Sequence, residues 1–221
     1  MLKSHFVIEL LKLLAAGMLL ISFAMLSTRR IQRLITLYMW QGAILFLSTA
    51  LVAYDAGLTE LYFSAALTLL LKVIALPFIL NWLVRRLGAQ RENERLAHIP
   101  ATMLAGLLLV ILAFGLAQPI SVLAATIMRH TIGIALAVIL LSFLTMIMRR
   151  KAIAQVIGFL AMENGLFFAA ASATYGMPMV IELGIALDLL VAVFILGIFF
   201  FQIREQFDSL DLHHLESLKE E

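Results

Sequence analysis

The sequence predicts an all-α, polytopic membrane protein of about seven transmembrane helices, and three observations carry that reading. The 221 residues are 63 % hydrophobic and 14 % charged, where soluble domains run at roughly 45–50 % and about 25 %. Long stretches hold no Asp, Glu, Lys or Arg at all: Leu13 to Thr28, Leu34 to Tyr54, Leu96 to Met128, Thr131 to Met148 and Leu189 to Ile203. Basic residues gather between these stretches. At roughly 20 apolar residues per crossing, the length accommodates at most about nine helices. A sizeable extramembrane domain is therefore excluded, and with it a soluble catalytic or nucleic-acid-binding domain.

The first helix is expected near 6 to 27. Its apolar run carries Glu9 and Lys12 and stops at Arg29-Arg30 without a small-residue cleavage pattern, so it reads as a span and not as a cleavable signal. Glu9 and Lys12 lie three apart on one face, close enough to the helix end to form a local pair. The second helix, 34 to 54, is free of charge and contains Gly42. The third, 61 to 83, is interrupted by Lys72 and by Pro77, a residue that frees a carbonyl for local hydration. The fourth covers 100 to 118. Pro119 starts a helix more readily than it continues one, so the fifth, 122 to 148, is either long and tilted or preceded by an interfacial piece. The sixth, 153 to 174, holds Glu163 and Gly165, and the seventh, 179 to 203, holds Glu182 and Asp188. Gly42 and Gly165 are placed to allow close helix approach.

Ser22-Phe23 followed by Arg29-Arg30 recurs as Ser142-Phe143 followed by Arg149-Arg150, and Gly42 then falls opposite Gly165 and Glu60-Leu61 opposite Glu182-Leu183. Helices 1–3 thus look like a copy of helices 5–7, the same way up, with helix 4 between them. The organisation expected is a bundle over 1–203, made of a first three-helix unit (1–90), a linker with helix 4 (91–120) and a second unit (121–203), followed by an acidic tail over 204–221. Twelve basic residues fall on one set of helix ends, and only Lys3 and Arg129 on the other. The rich side belongs in the cytoplasm, which puts the amino terminus outside and the tail inside.

Most charges are accounted for as helix-end or tail residues, leaving Lys72, Glu163 and Asp188 near the middle of their spans. Each such residue costs about 2.5–3.5 kcal/mol to insert, and the default is that they face the bundle interior, pair, and mark an ion or proton pathway. Burial disfavours a charge while an opposite charge favours it, so a Glu, an Asp and a Lys within water-bridged reach form a relay that needs no cofactor. The alternative is an ion pair that only fixes helix packing. Glu60 and Glu182, at helix ends, and His130, beside Arg129, are secondary candidates for the mouth of such a path. His213-His214 lack further ligands for a metal. In the tail, Phe207, Leu210, Leu215 and Leu218 make a helix-compatible stripe among acidic residues, suited to docking on a protein partner and not on anionic lipid. Zero cysteines exclude an iron–sulfur cluster or thiol chemistry in this chain.

The stretch Gln155 to Leu189, with Ile157-Gly158-Phe159, Met162-Glu163-Asn164-Gly165 and Glu182-Leu183-Gly184-Ile185-Ala186-Leu187-Asp188, resembles the hydrogenase-4 component E family of membrane subunits. Agreement extends more weakly over the chain, including Lys72-Val73 with Pro77, Leu210-Asp211-Leu212 and Leu218-Lys219. The family's second half is similar to the K subunit of respiratory complex I and the C subunit of multisubunit cation/proton antiporters. In that subunit two membrane carboxylates lie on a proton axis. Asp188 matches the second, with Asp for Glu. The first falls on Gly158-Phe159-Leu160 here, and Glu163 lies three residues on, about 4.5 Å of rise along nearly the same face.

The resemblance implies a non-catalytic subunit of an energy-converting [NiFe]-hydrogenase or formate hydrogenlyase-like complex in a bacterial or archaeal cytoplasmic (inner) membrane. Its partners would be antiporter-like and quinone-site-like membrane subunits and peripheral hydrogenase subunits, which would hold the nickel–iron centre and the iron–sulfur clusters. Glu163 and Asp188 would carry protons, or serve sodium, with Lys72 tuning them. Two alternatives are a structural linker between membrane subunits and a subunit of an antiporter-like complex without hydrogenase. An independent transporter fits less well, because no discontinuous helix pair is visible.

Overall fold

Chain termini of the helices follow from local chemistry in the computed structural model, which describes residues 2–57, 59–86, 99–123, 126–174 and 197. α1 (Leu2–Ser27) ends where Ser27 and Thr28 both donate their hydroxyls back to the Ala24 carbonyl, at 3.0 and 2.7 Å. α2 (Ile31–Ala56) stops at Gly57, whose φ of 66° lets its N–H close onto the Ala53 carbonyl at 2.9 Å. This left-handed helix end is one that glycine adopts without a Cβ penalty. α3 (Thr59–Thr68), a π-helical turn (Leu69–Ala75) and α4 (Leu76–Arg86) form one rod. α5 (Ile99–Leu123), α6 (Thr126–Met148) and α7 (Ala152–Thr174) complete the described helices.

Six of these runs are long and apolar enough to cross a membrane, the α3–π–α4 rod counting as one, and no strand occurs among the described residues. The expected seventh span, 179 to 203, lies outside the described residues except Gly197. The region around Pro119 corrects the sequence reading. The helix does not stop before Pro119: α5 runs through it to Leu123, and α6 begins at Thr126. Pro119 lies inside α5, four residues before Leu123, and its missing N–H gives up the bond that would otherwise reach the Gly115 carbonyl.

The described helices belong to a first compact unit, Met1–Gly184; a second comprises Ile185–Glu221. Within the first, α1 packs on α2 and α6, α2 on α7, and α6 on α7, so four helices enclose a common core. Ala15, Met18, Leu45, Ala135, Val138, Phe168 and Ala171 fill it. The α3–π–α4 rod lies along α2, and α5 lies along α6 and α1. α7 is the most enclosed span and α5 the least.

Glycines set how closely these helices approach. A Cβ on Gly165 would sit 3.0 Å from Val138 and Ile139 side-chain atoms, and one on Gly158 would meet the Met146 backbone at 2.9 Å. Gly42 brings α2 against the π turn, 3.3 Å from both the Cβ and the carbonyl of Lys72. The close approach expected at Gly42 and Gly165 is thus present. The burial pattern also follows the two sequence offsets. Leu11, Ala15, Met18, Ser22 and Met25 of α1 and, 120 residues on, Thr131, Ala135, Val138, Ser142 and Thr145 of α6 are all buried. So are Leu34, Tyr38, Gln41 and Leu45 of α2 and, 123 residues on, Ile157, Ala161, Asn164 and Phe168 of α7.

Candidate functional site

Pro77 has no N–H to donate, so the turn before it must lose one backbone bond. The chain answers by widening: the Leu76 N–H reaches back five residues to the Leu71 carbonyl. π turns of this kind re-aim side chains and recur at functional sites. Here the widened turn holds Lys72, which is buried. Its Nζ donates to Glu163 Oε1 of α7 at 2.9 Å. Phe167, one turn beyond Glu163, lies with its ring centroid 5.5 Å from the same ammonium, within the range of cation–π attraction. The sequence thus places two charges 91 residues apart, and the fold joins them. Both stand near the centres of their spans, Leu61–Arg85 and Ala152–Ala171.

A string of uncharged polar groups adjoins the pair. Asn164 Nδ2 donates to Gln41 Oε1 at 3.4 Å, and Gln41 Nε2 donates to Ser22 Oγ at 3.2 Å. Ser22 Oγ in turn donates to the Met18 carbonyl at 2.9 Å. All three side chains are buried. Bonds between uncharged side chains hold membrane helices together where backbone groups are already satisfied, and this string crosses from α7 through α2 to α1. None of the three was a candidate from sequence. The 123-residue offset, which sets Gln41 opposite Asn164, is the signal that could have found them.

Arg149 stands just past the end of α6, and its burial adds to what the sequence showed of it. It was expected among the helix-end charges of the arginine-rich side, yet it is buried, with Nη2 donating to the Met25 carbonyl at 2.7 Å. The Met25 carbonyl also accepts the Thr28 N–H at 3.3 Å, and a guanidinium there meets the negative end of the helix dipole. Gln155 Nε2 closes the same corner by donating to the Arg149 carbonyl at 2.9 Å. Its neighbour Arg150 is exposed. Glu9 and Lys12 form the expected local pair, at 2.8 Å.

Asp188, Glu182 and the stripe Phe207, Leu210, Leu215 and Leu218 lie outside the described residues, as do the side chains of Glu60 and His130. Among the described residues no group of three or more His, Cys, Asp or Glu stands together as a metal site.

No family model matches the chain, and no solved structure matches it. Curated relatives do. An uncharacterized protein of Mycobacterium tuberculosis is 30 % identical over 207 residues, 93 % of this chain and 94 % of that protein. Hydrogenase-4 component E of Escherichia coli and that of Shigella flexneri are each 28 % identical over 208 residues, 93 % of this chain and 95 % of theirs. With 93 % of its length matched by these relatives and six described helices long and apolar enough to cross a membrane, this multi-pass membrane chain belongs to the hydrogenase-4 component E family.

Proposed function

We propose that the chain is a non-catalytic membrane subunit of a hydrogenase complex and supplies buried charged groups to a proton or sodium path driven by electron transfer in partner subunits. The observation that carries this reading is the Lys72–Glu163 pair, a titratable couple buried near the midpoint of two spans. Charges at that depth are retained against a large insertion cost when they serve ion movement. Glu163 and Asp188 are the proton-carrying carboxylates in this reading, and Lys72 sets the charge balance at Glu163. The relatives named for hydrogenase-4 support the complex type, with nickel–iron and iron–sulfur centres in the partner subunits. The matched burial of α1 with α6 and of α2 with α7 supports a parallel duplication. The acidic tail, with its apolar stripe, is a docking segment for one of the partners.

The test is coupling. With Glu163→Gln and Asp188→Asn made separately, redox-driven proton uptake into inverted vesicles should fall while the complex still assembles. Unchanged uptake in both overturns the reading. A second reading, a purely structural linker, is favoured by one observation: the pair clasps the π turn to α7 as a packing bond would. It predicts loss of assembly or heat stability with no separate loss of coupling.

A further inference from the structure

Ser64, Thr68 and Lys72 recur every four residues on one face of the α3–π rod, and all three are buried. The step from Ser64 to Lys72 is about 12 Å of helix rise. On α2, Thr49 stands two turns from Gly42, the residue that touches Lys72, and so shares its face. Thr49 is buried, as is Ser48 beside it. The hydroxyls of Thr68, Thr49 and Ser48 are not free to turn. Thr68 Oγ1 donates to the Ser64 carbonyl at 2.9 Å, Thr49 Oγ1 to the Leu45 carbonyl at 2.9 Å, and Ser48 Oγ to the Ile44 carbonyl at 2.8 Å. A hydroxyl has one proton to give, so what each turns toward its neighbours is lone pairs. A row of fixed acceptors leading to a buried ammonium suits water and cationic species and disfavours anions. At the far end, Asn164 Oδ1, next in chain to Glu163, is buried and has no hydrogen-bond partner among the described residues. An unsatisfied buried acceptor of this kind is where an ordered water would bond.

Toward the opposite end the chemistry changes. From Asn164 to Gln41 to Ser22 to the Met18 carbonyl, every donor points the same way. Carboxamide N–H groups do not release their protons in a membrane, so this string makes bonds without passing protons along. We propose that water reaches the Lys72–Glu163 pair from one end of the bundle, the end that carries Gly57. It would enter by a lane past Ser64, Thr68 and Thr49, the two threonines turning lone pairs toward it. The Ser22–Gln41–Asn164 string would close the pair off from the arginine-bearing end.

The inference rests on the proposed function for what the water carries, but access is measured without turnover. The natural chain has no cysteine, so an introduced thiol is unique within it. Ser64→Cys, Thr68→Cys and Thr49→Cys are made in the full complex in native membranes. The probe is a membrane-impermeant trimethylammonium-ethyl methanethiosulfonate, applied to intact cells and to inverted vesicles and read as a mass shift of this chain. Asp55→Cys, exposed beside Gly57, marks the face. The expected result is labelling of the lane thiols from the Asp55→Cys face alone, and from both faces once Gln41→Ala is added. Labelling from the other face, from both faces without Gln41→Ala, or from neither while Asp55→Cys reacts overturns the proposal. If one variant does not accumulate, the other two carry the test. Loss of coupling by Glu163→Gln with labelling unchanged concerns the path alone, and one-sided labelling with normal coupling in Glu163→Gln and Asp188→Asn overturns the functional reading alone.

Discussion

Two lysine–glutamate pairs of almost equal length occur among the described residues, at 2.8 and 2.9 Å, and little else about them is alike. Lys12 and Glu9 are three residues apart on α1, with side chains 33 % and 55 % exposed; Lys72 and Glu163 come from different helices and are 1 % and 4 % exposed. The first pair needs only helical spacing. The second needs a π turn before Pro77, a glycine on α2 to admit the turn, and an enclosed α7. Bond length therefore says little about worth. An exposed pair contributes little, whereas a buried one ties up two desolvated charges that become costly when separated.

Removing one partner breaks the comparison most forcefully. Lys72→Met leaves Glu163 buried without its ammonium and is expected to cost about 3–5 kcal/mol, read as a large fall in the thermal midpoint of the detergent-solubilised complex. Lys12→Met should stay within about 0.5 kcal/mol of the natural protein. Lys72→Met combined with Glu163→Met should recover most of the loss, since a well-packed apolar replacement of both charges is often neutral. Equal midpoints for Lys72→Met and Lys12→Met would erase the distinction between the pairs.

The same contrast separates two adjacent arginines. Arg149 donates to the Met25 carbonyl from a buried position, while Arg150 is exposed. Arg149→Met gives up a hydrogen bond from a charged group and is expected to cost about 1.5–3 kcal/mol, with Arg150→Met near zero. Urea or thermal denaturation of the two variants side by side measures the difference.

These contrasts also mark what the sequence made legible. Charge-free segments delimited the spans because lipid tolerates few charges, and Lys72 and Glu163 stood out for the same reason. Their pairing was expressed only as one possibility among the mid-span charges, since nothing local relates positions 72 and 163. Arg149 does stand at a helix end, and its burial was not legible because α1 ends beside it only in three dimensions. Gln41 and Asn164 passed unnoticed because an amide barely alters composition. Pro119 was taken as a helix boundary, yet α5 continues through it for four more residues.

Glycines extend the series to backbone contact. A Cβ on Gly158 would press the Met146 backbone at 2.9 Å, one on Gly42 would meet Lys72 at 3.3 Å, and one on Gly115 would meet nothing within 4 Å. Gly158→Ala should cost about 1–3 kcal/mol, as overpacking does. Gly115→Ala should stabilise by up to about 1 kcal/mol through helix propensity. Gly42→Ala falls between them, since Lys72 must give only a few tenths of an ångström. A different order of thermal midpoints would mean that α2 and α7 yield more easily than their contacts imply.

The smallest effect is expected at the amides, and it isolates burial from charge. Gln41→Leu removes both bonds of the string that joins α1, α2 and α7, while Gln32, on an exposed face of the same helix, serves as its counterpart. Interhelical side-chain bonds in membranes average about 0.6 kcal/mol and reach about 1.7 kcal/mol, so Gln41→Leu should lower stability by that amount and Gln32→Leu should not. A double-mutant cycle of Gln41→Leu with Asn164→Leu gives the coupling energy directly. A value near zero would mean that the string only fills space between α2 and α7, and that the buried ion pair alone distinguishes the centre of the bundle from its surface.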